Sequence, residues 1–505
     1  MKKHTFYTLL TAAGLVLSAS GGCKKDFLNI NPLATASGEN FYKTADEIKQ
    51  AVNGAYSSLR DMGLVTYWLF GEMRSDNTTY QNNTSDRGNE QREFIDQFLV
   101  GATAEQIQTF WQQSYVGISR CNDVLGQINA VTMDETLKKR YIGEVSFLRA
   151  FHYFNLVRHF GGVPLRLEST ATPDDARSKG RATVEDVYQS ILADLAIATT
   201  SLPAKYAAAD AGRATEGAAR TLLAEVYMTQ KNYAAALPEL RKVMALGYSL
   251  YANYSDAFDP KNKNGAESVF EIQYLGAQPD LASNFMYQFA PYTSGFVVTN
   301  DPGSPLGGAS GWNIPTQDMI NAYETGDARK DVSLAEGFTN DAGVFVPIPY
   351  VKKYNHGFVD RGRTDDNFPV YRYGGVLLMT AECLNEAGFA AGGEAFTLLN
   401  QVRTRAKLPA KTAGNANPAL DVSSQEAFRT AIQQEMRVEL AFENHRWYDL
   451  VRSGKAVDVM LAHGAREKQQ KSYITANAYP VTQNRLLLPI PQREINLDNL
   501  TQNPQ

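Results

Sequence analysis

The sequence predicts a mainly α-helical protein, built of stacked helical pairs and carrying one large, loop-rich insert with short strands. Three observations predict it. Apolar residues recur at steps of three and four through most of the chain, the signature of helices with one buried face. A helix–turn–helix unit runs from Arg213 to Gly247. Between Tyr248 and Tyr373 turn residues cluster instead, as in Asp301-Pro-Gly-Ser-Pro305, and only short runs such as Ser268–Gln273 and Val344–Ile348 read as strands.

The first element is not part of the fold. Lys2 and Lys3 precede an apolar run, Phe6–Leu17, then the small residues Ser18–Gly22 and a lone Cys23. This layout reads as a secretory signal peptide ending at a cysteine. The apolar run is far short of the roughly 20 residues needed to span a bilayer. Cleavage before Cys23 and acylation of that residue would tether the mature chain, since stable anchoring takes more than one acyl chain.

Helices follow in order. Thr44–Met62 has Ile48, Val52, Ala55 and Leu59 at helical spacing, with Thr44 as N-cap. Ala104–Ile128 is the second. Asp134–Phe160 is the third, with Phe147, Phe151, Phe154 and Val157 along it, stopped by Gly161-Gly162 and Pro164. Thr183 caps a fourth, which ends before Pro203. Glu216–Gln230 and Tyr233–Leu246 turn at Lys231-Asn232 and resemble a tetratricopeptide repeat. A second pair is expected at Gly374–Gly388 and Glu394–Lys407, and one long helix from Ser424 to about Arg452. Leu486–Ile490 reads as a short buried strand or extended segment. Such pairs cannot bury their faces alone, so several must stack. The expected division is a signal segment at 1–22, an N-terminal helical region at 23–250 and a C-terminal region at 251–505. The last holds the insert (about 251–373), and both regions pack as one unit.

Composition narrows the function classes. The net charge of −5 becomes −7 once the signal segment takes Lys2 and Lys3 with it, and no basic stripe suggests nucleic acid. With Cys23 acylated, Cys121 and Cys383 are expected as buried free thiols. Enzyme signatures such as H-E-x-x-H, G-x-S-x-G or a phosphate loop are absent, and no cofactor or metal is expected. Glu439 and Glu443 lie one helical turn apart and could suggest glycoside hydrolysis. The same helix carries Glu435, Arg437, Arg446, Asp449 and Arg452, and a structural ion-pair network on one helix is the preferred reading. Arg403 and Arg405 are assigned the same scaffold role.

A series of motifs then points to a family. Cys23-Lys-Lys-Asp-Phe-Leu-Asn-Ile-Asn-Pro32 opens it, followed by Ala51-Val-Asn-Gly-Ala-Tyr56 and by Phe147-Leu-Arg-Ala-Phe-His-Tyr-Phe154 running into Phe160-Gly-Gly-Val-Pro164. Gly212-Arg-Ala-Thr215, Lys352-Lys-Tyr354, Asn400-Gln-Val-Arg-Thr-Arg-Ala406, His445-Arg-Trp-Tyr-Asp-Leu-Val-Arg452 and Leu488-Pro-Ile-Pro-Gln-Arg-Glu-Ile495 continue in order. Together these resemble the SusD/RagB family of surface lipoproteins from Bacteroidetes, along essentially the whole mature chain. The resemblance implies a non-catalytic, lipid-anchored protein of the outer membrane, facing the cell exterior. It would bind oligosaccharides and deliver them to a partner SusC-like TonB-dependent barrel. Peptide cargo, or a plain protein-interaction scaffold, are the alternatives.

Sugar binding needs flat rings for the C–H faces of pyranoses and polar groups for their hydroxyls. Two segments hold that mixture. The first offers Trp68, Asp76, Asn77 and Tyr80; the second, in the insert, offers Tyr287, Tyr292, Trp312 and Asn313. Trp312 lies among glycines, so a use outside the core is expected of it.

Overall fold

Thr44 opens the first helix with a capping box: its hydroxyl accepts from the Glu47 N–H, and the Glu47 carboxylate accepts from the Thr44 N–H. The computed structural model describes residues 41–85, 90–170 and 180–505. The signal segment, Cys23 and the motif at 23–32 lie outside the described residues.

Before the insert the scaffold helices include α1 (Ala45–Leu64), α2 (Thr66–Gly71), α3 (Glu105–Gln127), α4 (Glu135–Phe160), α5 (Val184–Ser201), α6 (Glu216–Thr229) and α7 (Tyr233–Met244). After the insert come α8 (Tyr373–Ala387), α9 (Glu394–Arg405), α10 (Gln425–Glu439), α11 (Arg446–Arg452), α12 (Ala456–Gln470) and α13 (Gln492–Asp498). Side-chain caps start them where the sequence predicts: Asp134 for α4, Thr183 for α5, Thr215 for α6, Asn232 for α7 and Ser424 for α10.

These helices form a continuous row. Helix α1 packs on α3, α3 on α4, α4 on α5, α5 on α6, α6 on α7, α7 on α8, and α8 on both α9 and α10. The stacking of repeat pairs is thus realised, and the fold is mainly α-helical. Helix α4 lies deepest. Nearly every residue from Tyr141 to Phe160 is buried, as expected of a helix covered on all sides. Cys121 and Cys383 are buried free thiols.

The strands are short and pair antiparallel in twos. They are β1 (Thr78–Thr79), β2 (Ser268–Ile272), β3 (Ile314–Pro315), β4 (Leu334–Ala335), β5 (Phe338–Thr339), β6 (Phe345–Val346), β7 (Tyr350–Val351) and β8 (Phe368–Arg372). Their partnerships are β1–β3, β2–β8, β4–β7 and β5–β6. The β2–β8 pair clamps the two ends of the insert together, and Phe270 of β2 sets its ring edge-on to Phe147 of α4, with centroids 4.9 Å apart. Inside the insert, Phe285, Phe289, Tyr354 and Phe368 form an aromatic cluster continuous with the main core: Tyr354 and Phe368 stack with centroids 5.5 Å apart, and Tyr67 and Trp68 of α2 meet Phe368 and Phe289 at 5.7 and 5.0 Å.

One expectation is corrected. The helix predicted over Ser424–Arg452 is two helices, α10 and α11, because Glu72 stops it. The Glu72 carboxylate accepts the N–H groups of Phe442 at 2.9 Å and Asn444 at 3.1 Å, and both residues adopt positive φ (66° and 68°) to present them. Of the two readings of Leu486–Ile490, the buried extended segment is the one observed: it pairs with no strand, and Leu488 N–H bonds the His159 carbonyl while Ile490 N–H bonds the Gln502 side chain.

Candidate functional site

The β1–β3 seam joins the two segments that carry the sugar-like mixture of side chains. Thr78 faces Pro315 and Thr79 faces Ile314, and just beyond the ladder Gln81 N–H bonds the Gly311 carbonyl at 2.8 Å. On its other side the strand is tied to the short helix Phe285–Phe289: Ser310, Gly311 and Trp312 donate their N–H groups to the carbonyls of Tyr287, Ala290 and Gln288 at 2.8–2.9 Å. Gly311 sits at φ 74°, and a Cβ there would lie 3.0 Å from Gln81 Cβ and 3.3 Å from Tyr292 N. Only glycine lets the three segments close this tightly without strain.

Rings meet at this seam. Trp312 and Tyr80 lie with centroids 6.3 Å apart, and Tyr80 and Tyr473 with centroids 5.9 Å apart. The Arg92 guanidinium stands 5.4 Å over the Trp312 ring. Tyr473 is the outermost ring, 37% exposed, whereas Trp312 shows only 8% of its surface. Tyr80 is buried between them, its hydroxyl taking a hydrogen bond from Gln97 Nε2 at 2.5 Å. Half-buried Tyr292 borders Gly311, and its neighbour Thr293 accepts from Gln81 Nε2 at 2.8 Å.

Beneath the rings lies Asp96. Its carboxylate accepts the hydroxyls of Tyr479 at 2.9 Å and Thr79 at 3.1 Å. Burial pushes its pKa up to about 7, against the opposing pull of His463 and Lys471.

The other residues proposed from the sequence turn out to be struts beneath or beside this seam. Trp68 is fully buried: its indole N–H bonds the Leu64 carbonyl and its ring meets Phe289 edge-on. Asp76 is buried under Arg446, at 2.7 Å, and Arg437, at 2.9 Å. Burial alone would raise its pKa, but the two guanidiniums outweigh it and hold the carboxyl well below the usual range. Asn77 donates to Glu72 and accepts from Arg437, each at 2.8 Å. The Tyr287 hydroxyl donates to Asp301 at 2.8 Å, which also takes the Gly362 N–H and so pins the loop after it. Asn313 accepts from the Thr78 hydroxyl at 2.6 Å, wholly out of solvent. As folded, these five side chains have no free face to offer a ligand. Trp312 is likewise more enclosed than its glycine-rich surroundings suggest, because Tyr80 and Arg92 cover it.

Sequence reasoning missed Tyr473, Arg92 and Gln81. Arg92 and Gln81 flank the first segment closely. Tyr473 lies in a polar run far along the chain, where a lone ring carries little signal.

The carboxylate pair Glu439 and Glu443 sits elsewhere, in the core. Glu439 pairs with Arg405, with Arg372 at 3.1 Å and with Arg329 at 3.1 Å; Glu443 pairs with Arg372 and Lys353, both at 2.7 Å. Burial opposes ionisation of Glu439, yet the surrounding guanidiniums hold its pKa low. Both carboxylates are shut off from solvent and occupied by cations, so neither can reach a glycosidic bond in this fold. The network is structural, but it runs between elements rather than along one helix. Arg446 pairs with Asp76, not Glu443, and Arg452 reaches Glu382 on α8 as well as Asp449. Arg403 and Arg405 belong to it, through Glu324 and Glu435 and through Glu267 and Glu439.

Comparison with known proteins adds the family. Residues 337–505 match the model described as the SusD family, and residues 26–228 match one described as starch-binding associating with outer membrane. SusD-like protein P2 of Formosa agariphila is 27% identical along the whole of both chains. The starch-binding protein SusD of Bacteroides thetaiotaomicron is 29% identical over 212 residues, 41% of this chain and 37% of that one. The solved structure of a laminarin-binding SusD-like protein, 27% identical, superposes with a TM-score of 0.76 over 92% of this chain and 100% of that one.

Proposed function

Since this chain belongs to the SusD family, we propose that it is a non-catalytic, glycan-binding lipoprotein of the outer membrane that captures oligosaccharides and passes them to a TonB-dependent barrel. The supporting observation is the file of rings at the β1–β3 seam, in which exposed Tyr473 stands on enclosed Tyr80 and Trp312 behind it. Three distant parts of the chain bring rings to one place there, with Tyr292, Gln81 and Thr293 alongside for hydroxyl groups. Carbohydrate binding also agrees with the starch- and laminarin-binding proteins that the chain resembles.

Hand-off to a transporter requires reversible binding. Dissociation constants of about 1 mM to 1 μM correspond to roughly −4 to −8 kcal/mol, within reach of a few stacked rings and hydroxyl contacts. Anchoring through acylated Cys23 keeps the protein at the membrane. Among the described residues, no helix is long and apolar enough to cross it.

Native gels cast with neutral polysaccharides, starch and laminarin among them, test the reading. The wild-type chain should be retarded by at least one, and a Tyr473→Ala variant less so. Retention by peptides alone would redirect the reading to peptide cargo. Cys23→Ala should move the protein from the membrane to the soluble fraction; unchanged membrane partition would refute the lipid anchor.

A further inference from the structure

A second concave surface shares no residue with the ring cluster. It is a cleft of about 750 Å³ between the loop before α6, the residues after α7 and the strand β2. That volume lies within the range of small-ligand sites, roughly 300–1,000 Å³. Tyr206 and Tyr248 are its tyrosines, Phe270 adds a third ring, and Lys205, Arg213, Asn264 and Glu271 bring charged and polar groups.

Both rings are built as fixed platforms. Tyr206 is backed by the Arg140 guanidinium at 5.4 Å, and its hydroxyl is tied to Glu144 at 3.1 Å. Tyr248 is backed by the Tyr373 ring, with centroids 6.4 Å apart at 28°, and its hydroxyl is tied to Thr215 at 3.1 Å. Neither Arg140 nor Tyr373 borders the cleft, so each ring has one face covered by protein and turns the remainder toward the open space. Gly217 protects this arrangement, since a Cβ there would lie 2.4 Å from the Tyr248 hydroxyl.

The cleft offers hydrogen bonds but little net charge. Arg213 is consumed by Glu144 at 2.8 Å and Asp210 at 3.1 Å. Glu271 is buried in an amide cluster, taking Asn367 Nδ2 at 2.8 Å, while Asn264 and Gln273 exchange bonds at 2.8 and 2.9 Å. Lys205, on the exposed rim, is the lining cation outside these pairings; deeper in, a neutral polyol would find rings and polar edges together.

From this geometry we propose that the Tyr206–Tyr248 cleft is a second carbohydrate site, taking a short neutral oligosaccharide segment. The proposal rests on the glycan-binding reading above and extends it to a second place on the same chain.

Equilibrium dialysis of the mature chain against neutral hexasaccharides of the α-1,4- and β-1,3-glucan types tests it. Two equivalents should bind at saturation. Ala208→Tyr puts a bulky ring on an exposed turn lining the cleft. It should lower the count to one with an unchanged melting temperature, and Tyr206→Leu should weaken the same equivalent about tenfold. Tyr473→Ala should remove the other. A wild-type stoichiometry of one, or full binding by both cleft variants, overturns the second site and leaves the glycan reading standing. No binding of any hexasaccharide by the wild-type chain overturns both.

Discussion

Arg372 holds Glu443 with both arms of its guanidinium: Nε donates to one carboxylate oxygen and Nη2 to the other, each at 2.7 Å. Arg372 opens α8's approach from β8, and Glu443 lies in the break between α10 and α11, so this pair bolts the insert's exit to the C-terminal helices. Removing one partner of a buried pair leaves the other charge uncompensated, at about 3–5 kcal/mol. Glu443→Gln should therefore lower the urea midpoint strongly, and Arg372→Met at least as much, since Arg372 also serves Glu267 and Glu439. A near-neutral result for both would show that the network does not carry the fold.

Two buried carboxyls should make stability fall as pH rises from about 4.5 to 7, while two buried histidines oppose them below about 6.5. Burial pushes both Glu72 and Asp96 up to about 7. Between the unfolded values near 4 and these folded values, the folded chain binds more protons than the unfolded one, so raising pH favours unfolding. Each group contributes up to about 4 kcal/mol, an upper bound from 1.36 kcal/mol per pKa unit. Asp76 and Glu439 act oppositely and lose their contribution only as pH drops below about 4. Asp96 faces Tyr479, Thr79, Lys471, Glu467 and His463. Burial pushes His152 down to about 3 and lowers His159 as well, so the test is a difference curve: the urea midpoint of Asp96→Asn minus that of the wild type should rise from about pH 4 to 8.

Tyr473→Ala and Trp312→Ala should separate binding from packing. Tyr473 is exposed, so its loss should weaken glycan binding with little effect on melting. Trp312 is enclosed, and truncating a buried aromatic costs about 3–5 kcal/mol. Its variant should lose both binding and stability. Calorimetric melting beside gel retardation reads the two effects separately.

Gly311→Ala should loosen the seam. Alanine at φ 74° is strained by about 1–2 kcal/mol, and its Cβ would press on Gln81 and the Tyr292 backbone. Weaker glycan binding with a modest drop in melting temperature is the expected outcome; unchanged binding would show that the seam does not set ring positions.

Much of the scaffold was legible because its signals are local. Thr44, Asp134, Thr183, Thr215, Asn232 and Ser424 each cap a helix that the apolar spacing already marks. The break at 440–445 was not, because no Gly or Pro announces it: the carboxylate that stops the helix belongs to Glu72, some 370 residues earlier. The site was half legible for the same reason. Composition found the segments that meet, with Tyr80, Tyr292 and Trp312 among them. It could not sort ligand-facing from load-bearing side chains, since Asp76 and Asn77 are taken by Arg437 and Arg446 from far along the chain.

Helices α7 and α8 pack directly on each other although the whole insert lies between them, and β2 paired with β8 shuts its neck. Yet the stretch beyond Gln273 and before Phe368 is no loose cassette: Arg329 reaches Glu439, Lys353 reaches Glu443 and β3 pairs with β1. A transplanted stretch would have to bring two cations and a strand to the same places before the chassis accepted it.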